Sequence, residues 1–406
     1  MAGQSFWLYI SMLLSLLAIL SSYGSCSFDT GFSIEEATLK DLQLALYKNK
    51  LTSRQLVKFY LKQVRRFNPI LKGIIEVNPD ALDQASQADL ECKRNSRSSS
   101  SPLHGIPVLL KDNIATRDKL NTTAGSFALL GSVVPLDAGV VTKLRKAGAI
   151  FGKASLSEWS DFRSYEPPNG WRARGGQGKN PYTLGEPYGS SSGSAISVAA
   201  NMVAVSLGTE TDGSILCPST FNLVVGIKPT VGLTSGAGVV PISLRQDTVG
   251  TVSDAAYVLD AIVGADKYDN STIEASKYIP KDGYGQFLRE KLKGQELFLK
   301  AEATKGIGVA EKAALTRLAT LSKNGFEQVM IKNKLDAIAA PGWAISPILA
   351  IGGFPGVSVP AGYNPQGVPY DIGFGGLKGF EPRLIEIAYG FEHLTKSRKS
   401  PSMKRR

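Results

Sequence analysis

Short aliphatic and β-branched runs alternate with helix-length segments along most of this chain, and that alternation restricts its fold more than any other feature. Residues 106–110 predict a buried strand, 140–147 a helix and 149–153 a second strand. A helix over 194–201 leads to strands at 203–207 and 224–227, the latter closed by Pro229. Helices over 255–263, 312–322 and 326–332 precede strands at 336–340, 357–360 and 370–375 and a closing helix over 384–394. Upstream, Ser33 with Glu36 and Thr52 with Gln55 read as capping boxes opening two amphipathic helices. A strand over 74–77 stops at Asn78-Pro79, and a third helix follows over 81–90. Strands separated by helices define an α/β chain: a single large domain with a central mixed, largely parallel sheet flanked by helices on both faces. With 406 residues, 43% of them hydrophobic, the chain can bury a core of that size.

The two ends read differently from the middle. The first 27 residues carry no charged side chain, and an apolar run over 6–20 is followed by small residues. That run of 15 residues, interrupted by Ser11 and Ser15, is short for a bilayer span of about 20. It fits the core of a secretory signal peptide over 1–27, cleaved near 25–27 and leaving no membrane span. Secretion would expose two glycosylation sequons, at Asn121 and Asn270. The net charge is +11, and six basic residues fall within 396–406 without an acidic one, which predicts a solvated, disordered basic tail. No interleaved aromatics or recognised module mark a nucleic-acid partner. Once Cys26 is set aside with the leader, Cys92 and Cys217 leave one possible pair. Two histidines and two cysteines are too few for an N/S metal site, and no cofactor is expected.

The scarcity of histidine directs attention to serine and lysine. Ser190 lies in the turn Gly189-Ser190-Ser191-Ser192-Gly193-Ser194, ahead of a helix. Ser214 lies in a second glycine-containing turn that follows a strand, and Lys111 ends the strand over 106–110. A serine nucleophile, a second serine relaying its proton and a neutral lysine as final base can do acyl chemistry without histidine. Each segment also has a plainer reading: a flexible Gly/Ser loop, a strand-ending turn, and a lysine snorkelling from a sheet edge.

Taken together and in order, the segments resemble the amidase signature family, in the branch of peptide amidases and plant amidases. The resemblance rests on GIPVLLKDN at 105–113, GSSSGS at 189–194, GTETDGSILCP at 208–218 and VGIKPT at 225–230. It continues through FPGVSVPAG at 354–362 and GFGGL at 373–377. It implies hydrolysis of linear amides through an acyl-enzyme, releasing a carboxylic acid and ammonia or an amine from a small-molecule or peptide substrate. It further implies Ser214 as nucleophile, Ser190 on a cis peptide bond as relay, and Lys111 as base, with Gly189 and Ser191 in support. Backbone N–H groups of Thr211, Asp212, Gly213 and Ser214 would form the oxyanion hole. Many family members carry Gly where Asp212 stands.

One departure lies near 287–300, where FLREKLKG runs directly into a much later family segment, so an internal piece is missing from the expected domain over 28–395. A truncated, catalytically incompetent protein is therefore a competing reading. Two others are weaker. A glutaminase subunit of a tRNA-dependent amidotransferase shares the Ser-Ser-Lys set but not the leader. An α/β-hydrolase would use Ser191 in a G-x-S-x-G elbow with His393, yet 179–188 makes a poor strand. The glycines at 175–178 before Lys179 only faintly suggest a phosphate loop.

Overall fold

The computed structural model describes residues 32–94, 101, 103–163, 168–253, 256–280 and 308–401. The leader, the shortened segment near 287–300 and residues 402–406 lie outside the described residues. Three helices come first: α1 (Leu39–Tyr47), α2 (Ser53–Leu71) and, after strand β1 (Ile74–Val77), α3 (Ala81–Arg94). The Thr52–Gln55 box forms as expected, with Gln55 N donating to Thr52 Oγ1 at 3.1 Å and Thr52 N donating to Gln55 Oε1 at 2.8 Å. The Ser33–Glu36 box does not. Thr38 caps α1 with Asp41 instead, and Glu36 sits at φ 57° and pairs with Arg398.

The central sheet has nine strands in the order β1-β3-β2-β6-β8-β7-β10-β11-β9. These are β2 (Pro107–Lys111), β3 (Ala149–Ala154), β6 (Val205–Glu210), β7 (Gly226–Lys228), β8 (Thr248–Val252), β9 (Ile338–Pro341), β10 (Gly356–Tyr363) and β11 (Pro369–Gly375). A separate two-stranded hairpin, β4 (Trp171–Arg172) with β5 (Gly176–Gln177), occupies the glycine run that faintly suggested a phosphate loop. The sheet is mixed, but its parallel part is smaller than the alternation suggests. Among the described residues β2 pairs in parallel with β3 and with β6, while the six other pairings in this sheet are antiparallel. The reason is local: β10 and β11 are joined as a hairpin, and β8 runs back between β6 and β7.

Helices α4 (Gly139–Ala147), α5 (Ser192–Ala199), α6 (Leu216–Phe221), α7 (Ala256–Ile262) and α8 (Ser271–Ala275) follow in order. After the undescribed segment come α9 (Val309–Ser322), α10 (Gln328–Lys332), α11 (Ser346–Gly352) and α12 (Glu381–Thr395). A π-turn over Lys323–Glu327 links α9 to α10. Ala195 and Ala199 of α5 pack with Ile215, Val224 and Val252, which seats the two serine turns on the middle of the sheet. Among the described residues no helix is long and apolar enough to cross a membrane. Cys217 is buried in α6, Cys92 is half-buried in α3, and no disulfide joins them.

The C-terminal segment corrects the expectation of a disordered tail as far as Pro401. Arg398 ion-pairs with Glu36 and donates through Nε to Leu223 O at 3.2 Å. Tyr182 OH donates to Lys399 O at 2.9 Å, and Lys399 N donates to Tyr363 OH at 3.0 Å. Basic composition made the segment read as solvated; a carboxylate and two tyrosines outside the local sequence hold it down.

Candidate active site

Lys111 is the last residue of β2, and Thr211 begins the turn after β6. Because β2 and β6 are parallel neighbours, both arrive at the same end of the sheet, where open α/β sheets carry their ligand crevices. The 189–191 turn comes to that end from the start of α5. Lys111, Ser190 and Ser214 are all buried.

Lys111 Nζ donates to Ser190 Oγ at 2.7 Å, to Thr209 Oγ1 at 3.0 Å and to Thr209 O at 3.3 Å. Asn113 Nδ2 also donates to Thr209 Oγ1, at 3.0 Å, so the lysine head sits in a fixed polar cradle. Burial lowers the Lys111 pKa to about 7, while the Asp161, Glu210 and Asp247 carboxylates act in the opposite direction. Near neutral pH the amine is thus divided between its charged and neutral forms.

The peptide bond between Gly189 and Ser190 is cis, as the sequence resemblance implies. Ser157 N donates to Ser190 O at 3.0 Å, and Ser191 N donates to Ser214 O at 2.9 Å, which locks the two serine turns side by side. A Cβ at Gly189 would fall 2.1 Å from Ser157 Oγ and 2.7 Å from Asp161 Oδ2, so a side chain there would have to displace both. Gly213, at φ 75°, makes the reversal that presents Ser214 ahead of α6. The Ser214 hydroxyl is buried and carries no hydrogen bond. Among the described residues, the N–H groups of Gly213 and Ser214 donate to no other group, which leaves donors beside that hydroxyl for a carbonyl oxygen.

The loop ahead of Ser214 is tethered on three sides. Glu210 Oε2 accepts from Ile215 N at 2.8 Å and Leu216 N at 3.1 Å. Thr211 Oγ1 donates to Asp247, whose other oxygen accepts from Ile242 N at 2.8 Å and Ser243 N at 3.0 Å. Ser346, at the start of α11, donates to the Asp212 carboxylate. Sequence reasoning placed Thr209 and Asn113 inside motifs without a role, and missed Ser157, Asp161, Asp247 and Ser346. The last two lie 36 and 134 residues from their partners, and no local pattern marks them.

Competing arrangements do not form. The Ser191 hydroxyl donates to Thr209 O at 3.2 Å and accepts from Thr209 N at 3.3 Å, which makes it a brace for the turn. His393 is exposed near the end of α12, its ring tilted at 37° against Tyr389. His104 Nε2 lies 3.3 Å from Ala88 O and 3.7 Å from Glu91. Among the described residues no group of three or more His, Cys, Asp or Glu could hold a metal ion.

A buried serine thus sits beside open backbone donors, in a turn bonded to that of a second serine, which is held by a buried lysine of lowered pKa. The chain belongs to the amidase family, whose model matches residues 55–341. It is 49% identical to a probable amidase of Arabidopsis thaliana, with 95% of both chains covered. That alignment runs over 488 positions, more than the 406 residues of this chain, so stretches of the relative have no counterpart here. Among solved structures it is similar to the peptide amidase of Stenotrophomonas maltophilia, with TM-score 0.81, 32% identity and coverage of 91% of this chain and 99% of that one. It is also 36% identical to one component of the glutamyl-tRNA(Gln) amidotransferase of Thermoanaerobacter pseudethanolicus, over 63% of this chain and 51% of the relative. The chain is thus an amidase, acting on amide carbon–nitrogen bonds.

Proposed function

We propose that this amidase cleaves linear amides, peptide amides among them, with Ser214 as nucleophile, Ser190 as relay and Lys111 as base. The observation that carries the reading is the 2.7 Å bond between Lys111 Nζ and Ser190 Oγ, with both groups fully buried. A charged ammonium donates to Ser190 and twice to Thr209. A neutral amine keeps the two Thr209 bonds and turns its lone pair to the Ser190 hydroxyl. Ser214 Oγ then bonds to the carbonyl carbon as its proton moves to Ser190 and the Ser190 proton moves to Lys111. The C–O⁻ that forms is met by the N–H groups over 211–214. Returning the proton by the same route to the leaving nitrogen breaks the C–N bond, and water, activated in the same way, frees the acid from Ser214.

The peptide-amide preference is supported by the likeness to the Stenotrophomonas enzyme. The stretches missing relative to the plant protein favour the competing reading of an inert family member. A panel of N-acyl peptide amides, fatty-acyl amides and aryl amides separates the two: turnover abolished by Ser214→Ala supports the enzyme, and a folded, inert wild type supports the remnant.

The same reading places the protein in the secretory route, with 1–27 as the leader. Of the two sequons, Asn270 favours modification: it is exposed at the start of α8 without a side-chain cap bond. Asn121 Nδ2 already donates to both Glu76 oxygens, at 3.0 and 3.1 Å. Glycosidase treatment of secreted protein should cause one shift in mass that Asn270→Gln removes and Asn121→Gln does not; retention in the cytosol would reject the leader.

A further inference from the structure

Asp212 sets a problem for the site around it. Aspartate side chains readily accept a hydrogen bond from the backbone N–H two residues on, closing an Asx-turn. For Asp212 that group is the N–H of Ser214, one of the two donors left open beside the buried hydroxyl. A carboxylate that swung back would fill the oxyanion position with its own negative charge and repel the charge that amide attack develops there. The side chain is instead engaged by Ser346 Oγ, from the opposite wall.

Ser346 is well placed to hold it. Its hydroxyl comes from the first residue of α11, and the residue is 1% exposed. Ile345 and Leu349 on either side are locked among Phe326, Met330 and Phe354. Ser346 N donates to Trp343 O at 2.9 Å, which fixes the entry to the helix. Thr211 is held separately by Asp247, so the two side chains ahead of Gly213 are tethered to different parts of the chain.

We infer that Ser346 is a positioning residue for amide hydrolysis: by holding the Asp212 carboxylate it keeps the Gly213 and Ser214 N–H groups open to the substrate carbonyl. The inference rests on the hydrolase reading above, and it identifies a dependence that arises only because an acidic residue occupies position 212.

A double-mutant cycle on the full chain tests it, with p-nitrophenyl acetate as the acylating probe and an N-acetyl dipeptide amide for steady state. Ser346→Ala should slow acylation roughly tenfold through kcat, with KM and the thermal midpoint nearly unmoved. Ser346→Thr should restore most of the rate. In an Asp212→Ala background, where no carboxylate can swing back, Ser346→Ala should change acylation less than about twofold. An unchanged rate in Ser346→Ala, or the same tenfold loss with and without Asp212, would overturn the positioning role while leaving the hydrolase intact. Absence of Ser214 acylation in the wild type would overturn the hydrolase reading itself, and this inference with it.

Discussion

The centre of the sheet and its β9 edge have opposite characters. At the centre, β2 and β6 pair in parallel and every residue of both strands is buried, including Lys111. At the edge, β9 has alternate residues exposed, and α9, earlier in the same half of the chain, has Ser322 as its single buried residue. The buried centre removes water from a lysine, and desolvation is what favours a neutral amine near pH 7. The chain after the shortened segment contributes to the site chiefly through Ser346.

Burial alone does not make a base. Lys228, in β7, is as buried as Lys111, and burial lowers its pKa to about 8 despite the opposing Glu210 and Glu381 charges. Lys153 behaves in the same way, also to about 8. Yet Lys228 Nζ donates to Pro229 O at 3.2 Å and Phe354 O at 2.7 Å, and Lys153 Nζ to Ile114 O at 2.7 Å and Thr122 Oγ1 at 2.9 Å. Neither touches a serine of the trio. Of the three buried lysines, Lys111 is the one that donates to Ser190, and the proposed chemistry rests on that contact.

That contrast can be broken in several ways, the most severe first. Ser214→Ala should remove amide turnover by at least about 1000-fold with the fold retained, measured as product release beside a circular dichroism spectrum. Lys111→Met should cost nearly as much, because relay and base act as a unit. Lys228→Met should instead lower the thermal midpoint by leaving the buried Glu210 and Glu381 without their cation, while residual activity keeps its pH profile.

The pH profile has a definite sign. The reactive form of Lys111 is neutral and its pKa is lowered to about 7, so kcat/KM should rise as pH increases through about 7 and fall away below it. An acid limb near 10 would mean that the lysine is not desolvated in solution. The smallest effects compare the buried centre with the exposed later helix as structure. Leu207→Ala, in the buried β6, should cost about 2–5 kcal/mol in denaturant unfolding. Leu321→Ser, on the exposed face of α9, should stay within about 0.5 kcal/mol.

The buried centre was the legible part. Its strands are continuous aliphatic runs and its turns carry glycines, so the juxtaposition of the Lys111, Ser190 and Ser214 segments could be expected from resemblance. What escaped is what local pattern cannot encode. Strand β8 reads TVGTV and lacks the bulk of a recognisable strand, although both its neighbours bury it. Helix α6 contains Pro218, and α11 begins with Ser346-Pro347 after a tryptophan turn, so neither shows a helical period. The cap on α1 lies at Thr38 and not at Ser33, and Glu36 pairs with Arg398, 362 residues away. The Thr211–Asp247 and Asp212–Ser346 tethers likewise exist only once the sheet is assembled.

The most direct test of the central claim is to treat the folded protein with a fluorophosphonate and map the modified residue by mass spectrometry, in wild type and in Lys111→Met. Modification of Ser214 in the wild type, slowed by orders of magnitude in the variant, is the expected result. Modification at Ser191, or equal labelling of Ser214 with and without Lys111, would contradict the assignment of a serine nucleophile activated through Ser190 by a buried lysine.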